Sequence, residues 1–304
     1  MSISVLGIYV ADLVFFGKKI PTEGETILGN NFVIGPGGKG SNQAVAAAKA
    51  GVPTYFISKI GNDQFGEMAT QIYDEAKVDY SNVIISKEYA TGAAAIMVNE
   101  QTGANAINVF PGAAGAITNS DIDKAEDVIK NSKIFLTQLE APIDTVMYAI
   151  KKAKELGVET ILNPAPAAEI DKSIFPYIDY FIPNETEASF YVNQPVETHE
   201  DASKAATILL DMGVKNVIIT LGEKGAYFAN ANENFSSPIA NLSNPVVDTT
   251  GAGDAFNAGF AAALTENQGI RDAIAFASAT AGLSTTKIGT ANSMPNREEI
   301  DKIL

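Results

Sequence analysis

Apolar residues along this chain form short continuous runs that alternate with longer stretches of helical period. The runs predict strands at Ile3–Val10, Tyr55–Ser58, Lys133–Gln138, Thr160–Asn163, Tyr180–Ile182, Asn216–Thr220 and Pro245–Val247, with a hairpin through Gly225–Ala229. The helical stretches predict helices at Ser41–Ala50, Gln64–Ala76, Asp121–Lys130, Ile143–Leu156 and Asp201–Met212, and others starting at Gly253, Ile270 and Asn296. This alternation is typical of an α/β protein with a mostly parallel sheet covered on both faces. Its ligands are expected at the carboxyl ends of the strands.

Four further strands fall outside this alternation. They are predicted at Asp12–Phe16, Glu25–Ile34, Ala93–Val98 and Ala106–Phe110, and the last two are joined by a short polar turn. Because they lie outside the alternation of strands and helices, we expect them to form a small sheet of their own.

Charge and composition narrow the classes of partner. Asp and Glu outnumber Lys and Arg by 36 to 21, which gives a net charge of −15. Such a surface repels nucleic acids and anionic membranes, so a phosphate site must be built locally from backbone N–H groups, helix N-termini or a metal ion. The absence of cysteine and of a signal-like N-terminus leads us to expect a cytoplasmic protein.

A glycine-rich segment, Gly35–Asn42 (GPGGKGSN), ends where a helix is predicted to start. Glycines allow the backbone to approach a ligand closely, Lys39 adds a mobile cation and Asn42 an amide for a hydroxyl. The alternative is a turn that only caps the helix. The same letters satisfy the dinucleotide fingerprint G-x-G-x-x-G, but that motif directly follows a first strand, and here two extra strands intervene.

The second segment is Asp248–Phe256 (DTTGAGDAF), a turn followed by a helix. The N–H groups of Gly251, Ala252 and Gly253 would point to one spot and stabilise the charge of a transferring phosphoryl group. Asp254, in the first helical turn, can accept a hydroxyl proton as the general base. The alternative is an ordinary strand-to-helix turn in which Asp254 serves the helix dipole.

Weaker signals stand at three other predicted strand ends. Asn184 and Glu187 suit a metal-bound water near phosphates, or form a plain capping box. The loop Thr220–Gly225 either contacts a nucleotide or is a simple turn, and Glu140 is placed to balance Lys39.

Taken together, these motifs resemble the ribokinase family of sugar kinases. GGKGSNQA at 37–44 is similar to the first family motif and DTTGAGDAF at 248–256 to the second, while NPAPA at 163–167 and PNETEA at 183–188 look like ribokinase and its pentose-kinase relatives. The resemblance implies a three-layer α/β/α body, residues 1–10, 36–90 and 112–304, and a four-stranded β lid over the sugar, residues 11–35 and 91–111. It also implies a homodimer formed through the lids.

The resemblance further implies the site residues. Asp254 would be the base and Gly251, Ala252 and Gly253 the anion hole. The sugar would be held by Asp12, Val10, Gly38, Lys39 and Asn42, with Glu140 nearby, and ATP with Mg²⁺ by Asn184, Glu187, Thr220, Gly222 and Gly225. A K⁺ site would be formed by Asp248 and by Thr250, Ser284, Lys287, Gly289 and Ser293.

This chain departs from the family pattern at one position that concerns the choice of sugar. Ribokinases usually carry Asn two residues before the sugar-binding aspartate, where this chain has Val10, and deoxyribose-using relatives resemble it in having an apolar residue there. We therefore expect an ATP-dependent kinase of a free pentose, ribose or 2-deoxyribose. The alternatives are a kinase of another unphosphorylated sugar or of a nucleoside and, outside the class, an NAD(P)-dependent oxidoreductase or a non-catalytic sugar-binding protein.

Overall fold

The computed structural model describes residues 1–304 and contains two separate sheets. The larger has nine strands in the order β13-β12-β11-β10-β9-β8-β1-β4-β5. These strands are β1 Ile3–Leu6, β4 Thr54–Gly61, β5 Asp79–Ser86, β8 Ile134–Thr137, β9 Glu159–Leu162, β10 Tyr180–Phe181, β11 Asn216–Thr220, β12 Ala226–Asn230 and β13 Asn234–Ser237. All neighbouring pairs from β11 to β5 are parallel, and only the β11–β12 and β12–β13 pairs are antiparallel. The predicted mostly parallel sheet is confirmed.

Helices cover both faces of this sheet. They are α1 Lys39–Lys49, α2 Gln64–Ala76, α3 Asn119–Lys124, α4 Glu126–Asn131, α5 Ile143–Glu155, α6 Glu185–Val192, α7 His199–Asp211, α8 Ala252–Thr265, α9 Ile270–Ser284 and α10 Arg297–Asp301. One core of 39 buried residues joins the sheet to α1, α2, α8 and α9, and a second of 36 joins the other face to α3–α7. Two cores of similar size make the body a three-layer α/β/α structure.

The smaller sheet, called the lid here, has the order β3-β2-β6-β7. Its strands are β2 Val10–Gly17, β3 Asn31–Gly37, β6 Thr91–Asn99 and β7 Asn105–Gly112. Two antiparallel hairpins, β2 with β3 and β6 with β7, are joined by a parallel pairing of β2 with β6. The separate small sheet expected from the sequence is therefore present.

Several predicted elements differ from the observed ones. The run Ile3–Val10 is two strands, since β1 ends at Leu6 and Val10 begins β2 of the other sheet. The predicted Glu25–Ile34 strand starts only at Asn31, and the predicted Asp121–Lys130 helix is divided at Ala125. The expected Pro245–Val247 strand is wrong: the segment lies outside both sheets, and Val247 N–H donates to the carbonyl of Thr285 (2.7 Å). No helix of the structure is long and apolar enough to cross a membrane.

Candidate active site

A cleft of about 160 Å³ opens at the carboxyl ends of the parallel strands, where β9, β10 and β11 end beside the N-termini of α6 and α8. Eleven residues line it: Lys39, Asn163, Ala165, Ile182, Asn184, Glu187, Thr220, Gly251, Gly253, Asp254 and Asn257. Seven of these were site candidates in the sequence, so the chain brings motifs from four distant segments to one place, as the strand-end rule requires.

Asp254 lies on the first turn of α8 and is only 5% exposed. Each carboxylate oxygen accepts one side-chain amide: Oδ2 from Asn42 Nδ2 (2.9 Å) and Oδ1 from Gln43 Nε2 (3.0 Å). The sequence-distant glycine-rich segment and the second motif are therefore in direct contact. One lone pair on each oxygen remains available to a bound hydroxyl.

The turn before α8, predicted to be an anion cradle, offers two of the three expected N–H groups. Gly251 is the N-cap in a left-handed conformation (φ 80°), which glycine adopts without strain. Its N–H and that of Gly253 have no acceptor within the protein, whereas Ala252 N–H donates to the carbonyl of Thr249 (3.2 Å). Gly251 and Gly253 line the cleft and Ala252 does not. The cradle in the structure is thus built from the two glycines.

Charged groups are concentrated around Lys39, the first residue of α1. The Asp254 charge raises the pKa of the Lys39 ammonium against the opposing effect of burial, with help from Glu140 and Glu187. Glu140 Oε2 accepts the backbone N–H of Lys39 (2.7 Å), and burial raises the pKa of the Glu140 carboxyl to about 7 despite that bond. Lys39 therefore stays charged at the centre of a carboxylate cluster.

Asp12 and Val10 lie on the same face of β2, one pleat apart, and that face is directed at the cleft side of the lid. Burial, followed by the nearby Asp254 charge, raises the pKa of Asp12 to about 6. A Cβ on Gly37 would collide with the Asp12 carboxylate, and one on Gly38 (φ 88°) would collide with the carbonyl of Ile8, so both positions require glycine. Val10 is 3% exposed.

Asn184 and Glu187 form a reciprocal capping box at the start of α6. Glu187 N–H donates to Asn184 Oδ1 (2.8 Å) and Asn184 N–H to Glu187 Oε2 (2.9 Å). Both side chains also line the cleft, so the capping box does not remove them from it. Burial raises the pKa of Glu187. Thr220 lines the cleft, whereas Gly222 and Gly225 lie in the turn that follows it.

The predicted cation-site residues come from three segments that the structure ties together. Asp248 Oδ1 accepts Thr250 N–H (2.9 Å) and its Oδ2 accepts Gly289 N–H (3.0 Å). Burial opposes ionisation of Asp248, but these backbone N–H groups outweigh it and hold its pKa below the usual range. The remaining residues of this set are Ser284 at the end of α9, Lys287, which pairs with Glu299, and Ser293, which is fully buried.

Sequence reasoning missed three polar residues of this site. Gln43 contacts Asp254 directly, and Asn163 and Asn257 line the cleft. The available signal for Gln43 was a long polar side chain inside the alanine-rich stretch of a buried helix, which in a core demands hydrogen-bond partners.

Known proteins match this chain over nearly its whole length, both in sequence and in fold. The family model of pfkB family carbohydrate kinases matches residues 1–297. The deoxyribokinase of Salmonella typhi is 36% identical over 305 residues, covering 100% of this chain and 99% of the relative. The ribokinase of Haemophilus influenzae is 37% identical over 298 residues, covering 98% and 96%. Arabidopsis thaliana ribokinase, solved with ribose and ATP, superposes with a TM-score of 0.93 at 33% identity over 99% of this chain and 98% of that one.

Proposed function

Because this chain belongs to the pfkB family of carbohydrate kinases and is an ATP-dependent phosphotransferase of ribokinase-like fold, we propose that its acceptor is a free pentose, ribose or 2-deoxyribose, phosphorylated on its primary hydroxyl to the 5-phosphate. The relatives named deoxyribokinase and ribokinase are almost equally similar to it, at 36% and 37% identity. The observation that carries the proposal is Asp254, a buried carboxylate beside two free cradle N–H groups. The family excludes the oxidoreductase alternative, and the glycine-rich segment begins within lid strand β3 and does not follow a strand of the parallel sheet.

Asp254 is the proposed general base. Its carboxylate would take the proton of the acceptor hydroxyl as that oxygen attacks the γ-phosphoryl group. The N–H groups of Gly251 and Gly253, at the positive end of α8, would bind the charge that grows on the transferring oxygens. Lys39 lines the same cleft and adds a positive charge. Proton transfer and charge stabilisation both need groups that are held in fixed positions. The base, the two cradle glycines and Lys39 all lie at helix starts packed against the core.

The sugar is proposed to bind between these groups and the lid. Asn42 suits this role because its Oδ1 is buried without a hydrogen-bond partner, whereas its Nδ2 is taken by Asp254. Asp12 offers a carboxylate to ring hydroxyls, Gly38 allows close approach of the backbone, and Glu140 completes the charge balance with Lys39. Val10 presents only methyl groups, which favours a sugar without a hydroxyl at the adjoining carbon.

A phosphorylated sugar is a poor fit to this chain. Its two arginines both lie outside the cleft: Arg271 pairs with Glu233 (2.8 Å), and Arg297 pairs with Asp301 (2.7 Å). Bidentate arginine contacts are the usual means of holding a substrate phosphate. Lys39 is the only cationic side chain that lines the cleft, and the transferred phosphoryl group needs it.

ATP is proposed to enter along Asn184, Glu187 and Thr220, with Gly222 and Gly225 shaping the turn beyond. No cluster of three acidic, histidine or cysteine side chains forms a metal cage in this structure. Mg²⁺ does not require such a cluster, because it usually keeps several waters and is carried by substrate phosphates with one or two carboxylates. Glu187 would orient one such water, and the ion would neutralise phosphate charge.

A monovalent cation, K⁺, is proposed to bind outside the cleft. Asp248 already joins the loop before the cradle to the loop at Gly289, and carbonyls of the other predicted residues of this set would complete the ligands. Thr290 lies directly beside the cradle, since its Cα is 3.5 Å from a Cβ placed on Gly251. A cation at this point would therefore act on the cradle through the loop, without touching phosphate.

The lid is proposed to form the interface of a homodimer. Its pairing register places large apolar side chains on one face, the outer face: Phe15, Phe32, Ile34 and Met97 are neighbours, and Phe110 lies farther along the same face, opposite Ala93. All five are between 38% and 64% exposed, and the rings of Phe15 and Phe32 are 4.7 Å apart. Such a patch usually marks a protein interface. Sedimentation should show a dimer that Phe110→Glu dissociates, while a monomeric wild type would refute the interface.

The function itself is tested by following ADP release with ATP and a panel of acceptors: 2-deoxyribose, ribose, fructose, adenosine and fructose 6-phosphate. Pentoses are expected to give the highest kcat/KM, with product phosphorylated at the 5-position. Higher kcat/KM for fructose, adenosine or fructose 6-phosphate than for both pentoses would overturn the proposed substrate.

A further inference from the structure

A chain of buried side-chain amides runs beneath the cleft. Gln43 Nε2 donates to Asp254 Oδ1 (3.0 Å) and to Asn163 Oδ1 (3.2 Å), and Gln138 Nε2 donates to Gln43 Oε1. Asn163 Nδ2 in turn donates to the carbonyl of Ile182 (3.0 Å), one residue before the Pro183–Glu187 segment. The chain thus joins α1, β8, β9 and β10 to the first turn of α8.

The two ends of this series of hydrogen-bonded amides determine the orientation of every amide in it. Asp254, when ionised, and the Ile182 carbonyl can only accept hydrogen bonds. Asp254 therefore requires the Nε2 of Gln43, and Ile182 requires the Nδ2 of Asn163. A flipped Gln43 would place an oxygen against both the carboxylate and Asn163 Oδ1. The network has one consistent arrangement.

Gln43 differs from its neighbour Asn42 in whether its side-chain atoms all have hydrogen-bond partners. Asn42 keeps an unpaired buried Oδ1, which suits a residue that touches the sugar. Gln43 is 0% exposed, and its two donors and its acceptor all have partners within the protein. Gln43 has no atom left for a substrate, so a function in the reaction must act through Asp254. The unpaired atom of the chain is Gln138 Oε1, on its far side.

We propose that Gln43 is a positioning residue: its amide, locked by Gln138 and Asn163, holds the Asp254 carboxylate in the orientation that receives the acceptor proton. This inference rests on the proposed function, in which Asp254 is the base. Precise placement of a reacting group strongly affects rate. A donated hydrogen bond also stabilises the ionised carboxylate that a base requires.

The charged groups around Asp254 make the pH profile a specific readout. Asp12 faces it from β2, Lys39 from α1, Glu140 from the segment after β8 and Glu187 from α6. None of these four is altered by a substitution at Gln43. A change in the apparent pKa of the base therefore reports on the Gln43 contact itself.

The main test is Gln43→Glu, which keeps the shape but replaces the donor by an acidic group. We expect kcat at pH 7 to fall about 10- to 100-fold and the acidic limb of the kcat–pH profile to move to higher pH, because two adjacent carboxyls raise the pKa of one of them. The pentose KM should change less than about threefold. The exposed Gln71→Glu is the matched control and should change neither kcat nor the profile.

Gln43→Met and Gln138→Met provide the second measurement if the acidic variant fails to fold. Gln43→Met should lower kcat with a smaller shift of the acidic limb, and Gln138→Met should have the same effect more weakly. An unmoved limb together with an equal loss of kcat at every pH would reduce Gln43 to a packing residue and overturn the inference.

A double-mutant cycle with Asp254→Asn separates this inference from the proposed function. If Asp254→Asn alone keeps most of the activity, the assignment of the base fails, whatever Gln43 does. If Asp254→Asn loses most of the activity and Gln43→Glu lowers the residual kcat by its full separate factor, Gln43 does not act through Asp254. We expect Gln43→Glu to cost almost nothing more in the Asp254→Asn background, as for residues that act as one unit.

Discussion

The cleft end of the body and the lid are built in opposite ways. At the cleft, charged and amide groups are buried and joined by hydrogen bonds that leave only a few amide oxygens unpaired, and two cores hold the helices that carry them. The lid has no helix between the strands of either hairpin, and its outer face exposes large apolar side chains. The proposed base and cradle therefore lie on a helix that the core holds, whereas two of the proposed sugar contacts, Val10 and Asp12, belong to a thin sheet.

The largest effect should come from the rigid side of this comparison. Asp254→Asn is expected to lower kcat by roughly two to four orders of magnitude with little change in sugar affinity, because general-base loss typically has that size. Steady-state kinetics with the preferred pentose measure it. Asp272→Asn, in the first turn of the next helix, is the matched control. A variant that keeps more than half of the wild-type kcat would remove Asp254 from the mechanism.

The next effect concerns the lid and its specificity. A ribose 2-hydroxyl against Val10 would be buried without a partner, at a cost of about 1–3 kcal/mol, or about 5- to 150-fold in kcat/KM. We expect 2-deoxyribose to be used at least as well as ribose, and Val10→Asn to shift the ratio of kcat/KM toward ribose. Val14→Asn, on the same face of the same strand, should leave the ratio unchanged. If the wild type prefers ribose tenfold and Val10→Asn does not alter that preference, Val10 does not determine the choice between ribose and 2-deoxyribose.

A smaller effect is expected from the loop that supports the cradle. Replacing tetramethylammonium with K⁺ at constant ionic strength should raise kcat by about fivefold or more, the usual size of coupling between two sites. Na⁺ should activate less. Asp248→Asn should weaken this response and leave the KM of the sugar nearly unchanged. Equal rates in potassium and tetramethylammonium salts would argue decisively against the cation site.

The smallest effect is on stability, at the boundary of the two regions. Because burial raises the pKa of Asp12 to about 6, its carboxyl is largely protonated in the folded protein at pH 5 and ionised at pH 8. Ionisation in a buried site opposes folding, so this destabilisation accumulates as pH rises from about 3.9, the usual pKa of an Asp carboxyl, to about 6, and is complete above that. Asp12→Asn should therefore raise the free energy of unfolding by about 1–3 kcal/mol at pH 8, and less at pH 5.

Thermal unfolding of the ligand-free protein at the two pH values measures this difference. The exposed Asp211→Asn is the control and should show no pH-dependent gain. The stabilised Asp12→Asn protein should bind the pentose more weakly, since it loses the carboxylate proposed to accept sugar hydroxyls. A variant no more stable than wild type at pH 8 would contradict the burial argument.

The chemistry of the site was predictable where it depends on neighbours in the chain. Gly251, Gly253 and Asp254 lie within four consecutive residues, and a turn followed by a helix start is enough to point them at one place. Gln43 and Asn163 were missed because their contacts lie 211 and 120 residues away. Which buried amides meet depends on the packing of α1 against the sheet, and no local pattern encodes it.

The errors in the fold have a related cause. Val246 and Val247 have the β-branched side chains of a strand, but both are more than half exposed, and no neighbouring strand pairs with them. Conversely, the strand β5 at Asp79–Ser86 contains polar residues, so its sequence does not show a strand pattern. Such residues are tolerated because β5 is an edge strand paired only with β4. Strand formation is decided by the partner, which the segment's own sequence does not specify.

The parallel pairing at the centre of the lid has a consequence for folding. Each hairpin is local, but β2 and β6 meet in register from Val10 with Gly92 to Gly17 with Asn99, and α1, β4, α2 and β5 lie between them in the chain. Closing so long a loop becomes favourable only after those body elements have packed. The β2–β6 pairing should therefore be the last to form on refolding, and its backbone amides should exchange with solvent sooner than those of β1.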